Sequence, residues 1–188
     1  MVAVPSDSLR QFYAGLLYGG LAVLVLGLVL HARSDDPFSM VLIVAGLALM
    51  VGGQVCGSML LYRAWRCVER HRELLGRGRR TTDPAAAVAL TYIPLVNLVG
   101  VYISLGRLPG ELNAVAKRCG AQRRVPDGLG YLTAGLFTAT LIPLAGVLFG
   151  ATAGFGCMPM LLLSSSQLVD DIDTRFESRP AALSPVAG

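Results

Sequence analysis

Uncharged stretches alternate with charged ones along this chain, and their lengths decide what they can be. Residues 11–30, 37–62, 84–106 and 128–169 carry no Asp, Glu, Lys, Arg or His. A helix that crosses ~30 Å of hydrocarbon needs about 20 residues. The first two runs are of span length. The last is about twice as long as one span needs, and Pro143 lies near its middle, in Ile142-Pro143-Leu144-Ala145-Gly146. It fits two helices reversed at a Pro/Gly turn.

The third run breaks differently. Thr81-Thr82-Asp83-Pro84 opens it, with Asp83 placed to cap a helix and Pro84 at its first position. Pro94 then removes a backbone donor and disfavours helix at Ile93, while Asn97 can cap a second arm starting at Leu98. Each arm reaches roughly 15 Å, half a bilayer. The run is either one kinked span or a re-entrant hairpin that returns to its starting side.

Cation counting separates these. Short cytoplasmic loops hold the excess of Lys and Arg. A spanning third run with a spanning fourth splits the 16 cations 10 to 6, and a spanning third run with a hairpin fourth splits them 8 to 8. A re-entrant third run with a hairpin fourth puts 15 on one side and leaves Arg33 alone on the other. The expected fold is therefore an all-α integral membrane protein. It has four transmembrane helices, one re-entrant half-membrane hairpin at 84–106 turning at Pro94 and Asn97, and cytoplasmic helical extensions. Residues 1–175 form one transmembrane domain, and 176–188 are a flexible tail. A re-entrant turn leaves backbone groups unpaired and must be surrounded by protein or line a cavity.

Composition agrees with this class. The 188 residues are 54% hydrophobic and 15% charged, against about 25% charged in soluble domains. The first run is longer than a signal-peptide core, and His31-Ala32-Arg33-Ser34 is a poor cleavage site, so it reads as a retained span. The four cysteines show no CxxC pairing; Cys56 and Cys157, inside apolar runs, read as small buried hydrophobes. No metal or cofactor site is expected. His31 and His71 fall on opposite sides as surface residues.

Several motifs carry interaction chemistry. Gly146, Gly150 and Gly154 repeat on one helix face, as do Gly15 with Gly19 and Gly53 with Gly57. Such small residues let helices approach closely, either within the chain or against another subunit. Tyr62 and Trp65, beside Arg63 and Arg66, read as an interfacial anchor. Arg63, Arg66, Arg70, Arg77, Arg79 and Arg80, with Arg72, form a juxtamembrane cluster suited to anionic lipid headgroups. Asp170-Asp171-Ile172-Asp173 reads as a solvated helix end on the arginine side, placed to pair with some of them. Gly154-Phe155-Gly156-Cys157-Met158-Pro159 marks a kink. No soluble module exists to bind nucleic acid. No ionisable residue lies in an apolar run, where proton relays and coupled pumps keep theirs.

Thr81-Thr82-x-Pro84, Ile93-Pro94-x-x-Asn97, Glu111-Leu112-Asn113, Ile142-Pro143-x-x-Gly146 and Asp170-Asp171-Ile172-Asp173 together resemble a group of uncharacterised small bacterial multi-pass membrane proteins. The similarity covers roughly residues 60–175. Asp83 is inserted before the proline, Ala85 replaces a glycine, and Val99-Gly100-Val101-Tyr102 replaces an aromatic pair. The resemblance implies this architecture and the bacterial inner membrane, and no mechanism; the cation count puts both termini in the cytoplasm. The expected function is non-enzymatic: a scaffold or accessory subunit that packs against other membrane subunits. One alternative is a channel or transporter for a neutral or lipid-like solute past Pro94 and Asn97. Another is an enzyme that uses Asp170 and Asp171 on a phosphorylated lipid.

Overall fold

A computed structural model describes residues 6–34, 36–75, 82–92, 97–140 and 146–178, and these are helical almost throughout, with no strand among them. Helix α1 (Ser6–Arg33) and helix α2 (Pro37–Arg70) form a long antiparallel pair. The reversal between them is fixed by Asp36, whose carboxylate accepts the Phe38 N–H (3.0 Å) while Pro37 takes the first helical position. Glycine sets how near the two helices lie. A Cβ on Gly46 would fall 2.6 Å from the Leu24 nitrogen, and one on Gly20 or Gly27 would meet α2 at 2.9 Å. Gly53 and Gly57 continue the seam against Leu17 and Tyr13.

After a short 3-10 turn (Arg72–Leu75), α3 (Pro84–Tyr92) starts as its sequence predicts: Asp83 accepts the Ala86 N–H at 2.8 Å behind Pro84. Next come α4 (Asn97–Val101), continued by a π turn (Tyr102–Gly106), then α5 (Leu108–Cys119) and α6 (Asp127–Ala139). Helix α7 (Gly146–Ala151) passes through a second π turn (Thr152–Cys157) into α8 (Met158–Glu177).

The two arms of 84–106 pack on each other. Thr91 Oγ1 donates to Ser104 Oγ (3.1 Å), and Gly100 sits so close to Leu90 that a Cβ would be 2.6 Å from its carbonyl. The outgoing arm brings the Tyr92 hydroxyl to Ser58 of α2, and the returning arm brings the Ser104 carbonyl to Trp65 Nε1 at 2.9 Å. The outgoing arm packs along α2, and the returning arm touches it through the Trp65 contact. Pro94, expected at the turn, lies outside the described residues; Asn97 opens α4.

Both π turns precede a proline, Pro109 and Pro159. Pro159 has no amide proton for the carbonyl four residues back. That carbonyl belongs to Phe155, and the Tyr18 hydroxyl of α1 donates to it at 2.9 Å.

Among the described residues, three stretches, Asp7–Arg33, Pro37–Arg70 and Gly146–Glu177, are long and apolar enough to cross a membrane. The fourth span expected from the sequence falls to α6, whose 13 residues reach about 20 Å, short of ~30 Å. The core is concentrated at one end of the bundle, around Leu61, Trp65, Val68, Leu108, Leu112, Leu161, Leu168 and Ile172. Away from it, α1 and α2 leave large apolar side chains open, Val25, Leu26, Val41 and Val44 among them.

Candidate functional site

The strongest concentration of paired polar chemistry gathers at the carboxy-terminal part of α8. Asp170 Oδ1 accepts from Arg63 Nη2 of α2 at 3.0 Å, and its second oxygen pairs with Arg10 of α1. Arg10 also pairs with Asp7 and lies 3.3 Å from Ser166 Oγ. Asp173 pairs with Arg70 of α2 (3.3 Å). Asp171 turns the other way, accepting the backbone N–H groups of Gln122 (3.2 Å) and Arg123 (3.4 Å) and the Nε of Arg175 (2.9 Å). Arg123 Nη1 also reaches Gln167 Oε1 at 3.1 Å.

This arrangement follows from helix geometry. Positions 166, 170 and 173 fall on one face of α8, and 167, 171 and 174 on the next. One face therefore meets α1 and α2, and its neighbour meets the connection between α5 and α6. That connection is itself stapled. Gly120 closes α5 with a φ of 74°, open to glycine. Asn113 then holds the chain beyond: its Nδ2 donates to the Val125 carbonyl (2.7 Å) and Asp127 Oδ1 (2.6 Å), and its Oδ1 accepts the Val125 N–H (3.0 Å). The 107–127 segment is thereby held at the same end of the bundle as Arg10, Arg63 and Arg70. Arg33 lies at the opposite end, near the contact of His31 Nδ1 with Ser39 Oγ (3.1 Å).

The node has a shallow polar cleft of about 480 Å³, lined by Asp7, Arg10, Arg123, Gln167, Asp170 and neighbouring residues. The carboxylates of Asp7, Asp170, Asp171 and Asp173 in it are engaged by guanidinium groups and, at Asp171, backbone amides. Among the described residues, no group of three or more His, Cys, Asp or Glu side chains is placed to hold a metal.

The other residues singled out in the sequence separate widely. A Cβ on Gly146 would meet the Thr140 carbonyl and one on Gly150 the Thr140 methyl group, whereas one on Gly154 would meet nothing from other elements within 4 Å. A Cβ on Gly15 or Gly19 would likewise meet nothing within 4 Å, although Gly20 beside them lies against α2. Arg66 is exposed. Arg77, Arg79 and Arg80 lie outside the described residues.

Some expectations are corrected. Trp65 is no interfacial anchor: it is 1% exposed, its ring in the core and its N–H on Ser104. Tyr62, its partner in that expectation, is open. His71 is not at the surface; it is buried, its Nδ1 2.9 Å from the Cys67 carbonyl and its ring edge-on to Phe176 at 4.8 Å. Burial falls on Cys67 and Cys119 rather than on Cys56 and Cys157, which are half-buried. Arg10, Tyr18 and Asn113 carry contacts that the sequence did not announce. A proline four positions after a carbonyl was the one available signal for Tyr18, and it named the acceptor without naming the donor.

Comparison with protein-family models, with curated proteins and with solved structures gave no match.

Proposed function

We propose that this chain is a non-enzymatic integral protein of the bacterial cytoplasmic membrane, serving as a scaffold or accessory subunit within a larger membrane assembly. The observation that carries this reading is the two-faced glycine pattern of α1. Gly20 and Gly27 are filled by α2, while Gly15 and Gly19 stand open, with the exposed Phe12 one turn away. Between helices in lipid, close backbone approach is a main source of association, and small residues permit it. A second helix fits against this open face.

In this reading 84–106 re-enters the membrane from the cationic end, α6 and α7–α8 form the last hairpin, and both termini are cytoplasmic. Support comes from the packing of the two arms of 84–106 on each other, with contacts to Ser58 and Trp65 of α2, and from the shared location of Arg10, Arg63, Arg70 and Arg123 around α8. Cations collect on the cytoplasmic side, where they also meet anionic headgroups. The engagement of Asp170, Asp171 and Asp173 by arginines and amides favours a structural clamp over acid–base chemistry at that node.

The test is purification of the tagged chain from native membranes in mild detergent. Wild type co-purifies with other membrane subunits, and Gly15→Leu with Gly19→Leu loses them while remaining folded. Recovery of wild type as a monodisperse lone monomer contradicts the reading.

A further inference from the structure

An apolar groove between α2 and α3 takes no part in the ion-pair node. Val55, Met59 and Tyr62 form one wall and Ala85, Val88 and Ala89 the other of an open groove of about 460 Å³. Two hydroxyls lie along it, on Ser58 and Tyr62, and that of Ser58 is already engaged: it donates to the Gln54 carbonyl at 2.8 Å and meets the Tyr92 hydroxyl. The groove therefore offers almost nothing to a polar solute. Its small α3 side chains leave the α2 wall open, with Val55 52% and Met59 54% exposed.

The same face of α2 ends in charge. Positions 55, 59, 62 and 66 fall on one helical stripe, so Arg66 stands one turn beyond Tyr62. Arg63 and Arg70 are committed to Asp170 and Asp173, whereas Arg66 is exposed and makes no ion pair among the described residues. The stretch from Val55 to Arg66 measures about 16 Å, which is the depth of one leaflet of a ~30 Å hydrocarbon core.

An apolar groove on a helical stripe that runs on, over the depth of one leaflet, to an uncommitted guanidinium matches one kind of molecule. We propose that it holds an acyl chain of an anionic phospholipid, with the headgroup phosphate on Arg66. The proposal rests on the membrane placement argued above and goes beyond general attraction of a basic surface to lipid, because it assigns one chain to one groove.

The experiment is native mass spectrometry of the full-length, delipidated protein offered phosphatidylglycerol or phosphatidylcholine with identical acyl chains. Wild type retains one phosphatidylglycerol per chain, in preference to phosphatidylcholine by about fivefold, the effect of a single basic residue at the headgroups. Ala89→Trp, which fills the groove from α3, loses both lipids. Arg66→Gln keeps lipid and loses the preference. Ala85→Phe blocks the same wall one turn earlier and repeats the loss if Ala89→Trp fails to fold, with circular dichroism as the check. Undiminished phosphatidylglycerol on a folded groove-blocked variant overturns the proposal, as does an unaltered preference in Arg66→Gln. The membrane placement fails separately, by recovery of the chain in the soluble fraction, and takes the proposal with it.

Discussion

Arg63 on the second helix places its Nη2 3.0 Å from Oδ1 of Asp170 on the last helix, 107 positions along the chain. With Arg10 on the other oxygen, one carboxylate ties α1, α2 and α8 together. Both arginines lose their shared anion when it is removed. Asp170→Asn therefore costs about 1–3 kcal/mol, read as a lower midpoint in a denaturing-detergent titration. The Arg10→Gln and Arg63→Gln effects are expected to be non-additive with it in double-mutant cycles.

The Tyr18 hydroxyl supplies what Pro159 withholds from the Phe155 carbonyl. Tyr18→Phe is expected to cost about 0.6–1.7 kcal/mol, the range for hydrogen bonds between membrane helices. In a Pro159→Ala background the backbone regains its own donor, and the same Tyr18→Phe change then costs less. Equal losses in both backgrounds would show that the contact does not act through the proline.

Glycines on α1 and α2 separate by face. Gly46→Leu forces a side chain into the backbone of Leu24, and its cost exceeds the ~1–3 kcal/mol typical of overpacking, since the obstacle is main chain rather than a movable rotamer. Gly15→Leu meets open space and leaves the isolated chain's stability within about 1 kcal/mol of wild type. Unfolding midpoints of the two variants in the same detergent check the contrast.

Asn113 staples the connection between α5 and α6 through three hydrogen bonds. Asn113→Ala removes all three and leaves the Val125 amide without its partner, at about 1–3 kcal/mol. Limited proteolysis is expected to nick the 120–126 segment first, at a rate several-fold above wild type (roughly the population shift such a loss implies). Unchanged cleavage would assign the staple no role.

Much of the helical layout was legible because it is local. Asp83-Pro84 announces the start of α3, Asn97 marks where α4 opens, and the carboxylates after the last apolar run pair with arginines as their sequence context predicted. Span count was less legible. Pro143 in the apolar run at 128–169 marks a short first helix, roughly Asp127 to Leu141, and α6 spans Asp127–Ala139, which is too short for a full straight span. The site itself was mostly hidden. Nothing local to Trp65 says whether an indole near arginines faces headgroups or a neighbouring helix. The answer depends on Ser104, 39 positions away. Likewise, glycine spacing marked Gly15 and Gly19 as readily as Gly53 and Gly57, because spacing reports a face without reporting what lies opposite it.

The central claim is that the two basic connections lie together on one side of the bilayer, with the α1–α2 turn across from them. Cysteine labelling in intact cells tests it most directly, with the four native cysteines replaced and Gln122→Cys, Glu69→Cys or Ser34→Cys introduced singly. A membrane-impermeant maleimide is expected to modify the Ser34→Cys protein only, and to reach the other two once the cells are opened. Modification of the Gln122→Cys protein in unopened cells would contradict the account.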